Sequence, residues 1–258
     1  MNELNETTTP TDQPASTLLD DWIVFPAMAT GIVVTTFFPV LLGQRLLLPL
    51  LSGLVLVTMF FWAVRQGRPD RAILFALFWI GMQSLCVFTA SLLFDVNTGR
   101  AISGGLEYRN AWLQWGEHGT LTHIAPSLAW GRQLVEDLAA VGATALTGGT
   151  AGLWLLVTAL DRVSFTAASL VSEAQNPLLA LLASWPLWLI LRIVGVVVLS
   201  AALAEPVANL DLWPGYLPYW LQHRRRLLLI GLVLLVLGLL AQLLLAPLYQ
   251  NLLRSALG

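Results

Sequence analysis

Six long apolar runs constrain this chain more than any other feature, because each is about 20 residues long and matches a hydrocarbon core roughly 30 Å thick. Apolar residues make up 57% of the 258 and charged ones 11%. An ordinary soluble domain carries about 25% charge, so water is the wrong solvent for this sequence. A transmembrane barrel would alternate apolar and polar residues over ten-residue segments, whereas these runs are continuously apolar. The expected fold is all-α: a polytopic integral membrane helical bundle of six transmembrane helices with interfacial helices between them. The spans are read at about 23–42, 46–64, 72–94, 138–160, 178–203 and 227–248, within a transmembrane domain covering 22–258.

Residues 1–21 are rich in Thr, Asp, Glu and Pro and are expected to form a disordered polar tail. No basic residue precedes Trp22, so the pattern of a secretory signal is missing and the first span is expected to remain in the chain. Gly43-Gln44-Arg45 reads as a tight hairpin between the first two spans. The next turn carries Arg65, Arg68 and Arg71 beside Gly67 and Pro69.

The fourth run, Leu138–Leu160, begins almost entirely with Gly, Ala and Thr and contains Gly142, Gly148, Gly149 and Gly152. In lipid, helices associate where small residues let backbones approach, and Gly148-x-x-x-Gly152 is such a spacing. These four glycines are therefore read as a helix-packing face on one continuous span. Residues 161–177 follow as an amphipathic connector resting on the membrane, with a coupling helix as the alternative.

Two polar groups fall inside the runs. Gln83 is read as interhelical glue, with a translocation or ligand site as the alternative. Arg192 would cost about 2.5–3.5 kcal/mol at a helix centre without compensation. It therefore needs a partner or a route to the headgroups, and the candidates are Glu205, Gln83 or a carboxylate of another chain.

The polar loop 95–137 holds two of the three histidines and Trp112, Trp115 and Trp130, which suit the headgroup level. Glu107, Tyr108, Arg109, Glu117, His118 and His123 are its titratable cluster, and Glu117, His118 and His123 form a speculative site. The five-residue spacing of the two histidines does not fit metal ligands on one helix face. Cys86 is the single cysteine, which excludes an intrachain disulfide. Residues 204–222, with three prolines and four aromatic residues, read as an aromatic belt or shallow re-entrant loop.

No zinc-protease helix, nucleophile elbow, P-loop or aspartate-rich site occurs, so no catalytic residue, cofactor or metal is assigned and the balance leans against an enzyme. A net charge of −2 argues against nucleic acid. The expected partners are the lipid bilayer and other membrane subunits or further copies of the chain, in a bacterial cytoplasmic (inner) membrane. The leading role is a non-catalytic assembly subunit. The alternatives are a small transporter or permease component with a polar site near Arg192, and a membrane enzyme using the 95–137 loop. With six spans the arginines divide seven against five, and their density in 65–71 favours placing that loop in the cytoplasm.

Overall fold

The computed structural model describes residues 23–118, 130–208 and 216–258, and every element among them is helical. The polar tail 1–21 lies outside the described residues. The first three helices are α1 (Val24–Leu42), α2 (Leu47–Arg65) and α3 (Pro69–Leu93), close to the spans read from hydropathy. Glycine makes both turns. Gly43 has φ +61° and the Gln44 N–H reaches the Pro39 carbonyl; Gly67 has φ +70° and the Arg68 N–H reaches the Ala63 carbonyl. Both are helix ends closed by a left-handed residue and a six-to-one hydrogen bond. Pro69 then opens α3, where its missing N–H costs nothing.

Two short elements follow, α4 (Asp95–Ala101) and α5 (Gly105–His118), then α6 (Trp130–Thr147) and α7 (Thr150–Glu173). The expected span 138–160 is corrected here. Gly148 and Gly149 both adopt positive φ, +60° and +91°, and break the run into a hairpin of two helices. The Gly149 N–H bonds the Thr144 carbonyl at 2.8 Å, and the Thr147 hydroxyl accepts from the Ala151 N–H at 3.0 Å. One bond closes α6 and the other opens α7. The connector expected at 161–177 is likewise not a surface helix, because residues 161–173 continue α7 through the protein interior.

Asn176 caps α8 (Pro177–Ser184), its side chain accepting from the Leu179 N–H. Pro186 separates α8 from α9 (Leu187–Ala208), and α10 (Tyr216–Leu257) completes the chain. Most of the expected re-entrant stretch 204–222 belongs to the adjoining ends of these two helices, and 209–215 lie outside the described residues. Among the described residues six segments are long and apolar enough to cross a membrane, so this is a multi-pass integral membrane protein.

The main core gathers Met28 and Ile32 of α1, Leu56 and Phe60 of α2, Phe75 and Trp79 of α3, Leu153 and Val157 of α7, and Ile193 and Val197 of α9. A second cluster joins Trp112, Trp115, Leu170, Ala183, Trp188 and Leu253 at one end of the bundle. The opposite end brings Gly148 against Val207, Gly149 against Phe60 and Ala204, and Glu205 into a salt bridge with Arg224.

The four glycines therefore differ in kind. A Cβ on Gly148 would lie 2.6 Å from Val207, one on Gly149 would lie 3.0 Å from the Ser200 carbonyl oxygen, and one on Gly152 would overlap Thr144. All three neighbours belong to the same chain. Gly142 has nothing within 4 Å of its Cβ position. Gly149→Ala is expected to lose about 1–2 kcal/mol from the left-handed backbone alone, with crowding in addition. Gly142→Ala should leave stability unchanged or raise it by up to about 1 kcal/mol. Unfolding of the purified variants in detergent, followed by circular dichroism, checks the contrast.

Candidate functional site

Three polar side chains form a hydrogen-bonded series inside the bundle. Trp79 and Gln83 are four residues apart on α3, a spacing that stacks their side chains on one helix face. The Trp79 indole Nε1 donates to Gln83 Oε1 at 2.7 Å, and Gln83 Nε2 donates to Asp161 Oδ1 at 2.9 Å, linking α3 to α7. The exposures of the three residues are 0%, 2% and 3%.

An indole N–H can only donate. It therefore fixes the Gln83 amide with its oxygen towards Trp79 and its nitrogen towards Asp161. That orientation offers the Asp161 carboxyl group a hydrogen-bond donor. Gln83 lies near the midpoint of α3 and Asp161 near the midpoint of α7, so the carboxyl group sits deep within a membrane-spanning segment.

Arg162 turns elsewhere. Its Nε donates to the Ser103 carbonyl at 2.8 Å and its guanidinium lies beside Gly104. The Ser164 and Ser169 hydroxyls bond within their own helix, Ser164 donating to the Leu160 carbonyl at 2.8 Å and Ser169 to the Phe165 carbonyl at 3.1 Å. Among the described residues no three His, Cys, Asp or Glu side chains come together in a metal-binding group.

Gln83 thus joins two helices, as interhelical glue would, but through a buried acid rather than another neutral group. Arg192 is half-buried on α9, its stem packed over Gly238 of α10, where a Cβ would lie 2.7 Å from Arg192 Cγ. Two of the partners considered for it are engaged with other groups, Glu205 with Arg224 and Gln83 with Asp161.

The titratable residues of the 95–137 loop do not assemble into one site. Glu107 is exposed, Tyr108 tilts against Trp112 at 6.4 Å, and Arg109 lies over the Phe165 ring at 5.9 Å from its centroid. The side chains of Glu117 and His118, and all of His123, lie outside the described residues.

Asp161 is the buried acid of this series, and hydropathy alone does not find it. Beside Arg162 it reads as the first polar residue after a span. The usable signal was the pair of chain-breaking sequences around it, Gly148-Gly149 and Asn176-Pro177. A helix drawn between them has membrane length and holds Asp161 near its middle. No protein-family model, curated protein or solved structure matches the chain.

Replacing Gln83 by Leu would strand the Trp79 donor and the Asp161 acceptor together. Each buried unsatisfied group costs about 1–3 kcal/mol, so Gln83→Leu should unfold at clearly lower denaturant than wild type in detergent. An unchanged midpoint would show that this hydrogen-bonded series contributes nothing.

Proposed function

We propose that the chain is a small proton-translocating membrane protein, a transporter or permease component in which Asp161 takes up and releases the proton. The observation that carries this reading is the Asp161 carboxyl group itself, enclosed within the bundle and held by the Gln83 amide. Ionisable groups inside membrane spans are expensive, and they characteristically mark ion paths and proton relays. One carboxyl group with an amide donor suits a proton. A hard metal cation would instead collect six or more oxygen ligands.

One motive for the assembly-subunit reading, the glycine face, weakens, since Gly148, Gly149 and Gly152 are engaged inside the chain. The exposed flank of α10 consists of large aliphatic residues such as Leu229, Leu232, Val236, Leu240 and Leu244. That surface suits lipid tails better than close helix contact, which favours small residues. The transport site also moves from Arg192 to Asp161. Arg65, Arg68 and Arg71 share one end of the bundle with Arg224, Arg225 and Arg226, because Glu205 binds Arg224 there. The opposite end carries Arg45, Arg100, Arg109 and Arg254, so it is the density of arginine in 65–71 and 224–226 that supports a cytoplasmic placement of the first end.

The test is proton flux into liposomes holding the full chain and a pH-sensitive dye, driven by a potassium diffusion potential with valinomycin. Wild type should acidify the vesicles faster than protein-free controls. Asp161→Asn should fall to the control rate while remaining folded, since asparagine still accepts from Gln83 Nε2. Wild-type flux equal to the control, or an Asn variant as fast as wild type, would overturn the proposal.

A further inference from the structure

The interface between α5 and α7 collects polar atoms of a different kind. Arg109 Nε, Trp112 Nε1 and the Thr166 hydroxyl are all buried and have no hydrogen-bond partner. The two helices run side by side in the same direction: Gly104 lies against Arg162, Arg109 over Phe165, and Trp112 shares a cluster with Leu170. Thr166 is one turn from both Arg162 and Leu170, so it lies on the same face of α7. Arg109 and Trp112 are likewise one turn apart on α5. The register therefore places the three groups along a single seam.

Their chemistry agrees. The guanidinium Nε–H and the indole N–H can only donate, and a hydroxyl donates as readily as it accepts. Other hydroxyls of α7 bond back to the carbonyl four residues earlier, as Thr158 does to Trp154 and Ser164 to Leu160, but Thr166 does not. Buried donors left unmade are costly, so this seam lacks an acceptor. Arg109 is permanently charged, which selects an anionic acceptor, and arginine binds phosphate oxygens with strong charge-assisted hydrogen bonds. The neighbouring carboxylate on α5, Glu107, is exposed rather than turned into the seam. Tyr108, Trp112 and Trp115 add the aromatic surroundings typical of the headgroup level.

We infer that the α5–α7 seam is a phosphate-binding site, with Arg109, Trp112 and Thr166 as donors to phosphate oxygens. The phosphate belongs either to a phospholipid headgroup or to the free anion.

Thermal unfolding of the full chain in maltoside micelles tests this with three additives: phosphatidylglycerol, inorganic phosphate and the phosphate-free lipid monoolein. The expected result is a rise of roughly 5–10 °C with phosphatidylglycerol at about a hundredfold excess over its Kd, and a smaller rise with monoolein. A comparable rise with inorganic phosphate identifies the free anion as sufficient. Arg109→Gln should lose the rise. Thr166→Val, nearly isosteric, should lose part of it while unfolding no earlier than wild type without additive, because it removes an unpartnered hydroxyl. No phosphate-dependent rise in wild type, or the full rise kept in both variants, would overturn the site.

Discussion

Two consecutive left-handed residues, Gly148 and Gly149, fold α6 back on α7, and the interior of the bundle is arranged around that reversal. Only glycine enters this backbone region without penalty. Here it also lets the turn press against Val207, the Ser200 carbonyl and Phe60. With the turn at this point, α7 begins at one end of the bundle and carries Asp161 to the depth of Gln83. Were the run a single helix from 138 to 160, Asp161 would lie at a membrane surface, and a carboxylate there would need no partner.

The least and most apolar spans among the described residues differ in what they touch. The Thr150–Glu173 segment has the lowest mean hydropathy of the six, 1.3, and 61% of its most apolar window is buried. The Trp220–Leu257 segment has the highest, 2.9, with 22% buried. In water the ranking would reverse. In a bilayer the lipid-facing helix must be apolar all round, whereas an enclosed helix is free to carry Ser, Thr, Asp and Arg if neighbours or its own backbone satisfy them. Glycine supports the close packing elsewhere too: Gly195 and Gly231 meet across α9 and α10, and Gly53 makes room for the Trp154 indole, which donates to the Pro49 carbonyl at 2.8 Å.

The two ends of the bundle differ chemically. One gathers the arginines of the 65–71 turn and of the start of α10, tied to α9 through Glu205 and Arg224. The other is aromatic, with Trp112, Trp115, Trp188 and Tyr249 packed edge to face around Leu170 and Leu253, and Arg109 and Arg254 among them. Charge sets the sidedness of such a chain and indoles anchor its level in the bilayer. The buried acid and the seam hydroxyl, Asp161 and Thr166, lie five residues apart on α7, the first facing α3 and the second facing α5. A helix enclosed on several sides can serve both.

Membrane class, the number of membrane spans and the first three of them were legible in residue order alone, because hydropathy reports the solvent a segment prefers and Gly43 and Gly67-Arg68-Pro69 mark local turns. The same measure could not find the break at Gly148-Gly149, since glycine, alanine and threonine are apolar enough to pass as span whether or not the helix continues. Nor could it foresee that the glycines would pack within the chain, that Glu205 would take Arg224, or that Gln83 would meet an acid 78 positions away. Those pairings depend on which helix faces which, and that is decided by side-chain fit across the whole bundle. Residue order determined that this protein crosses a membrane; tertiary packing alone decided that Asp161 meets Gln83 there.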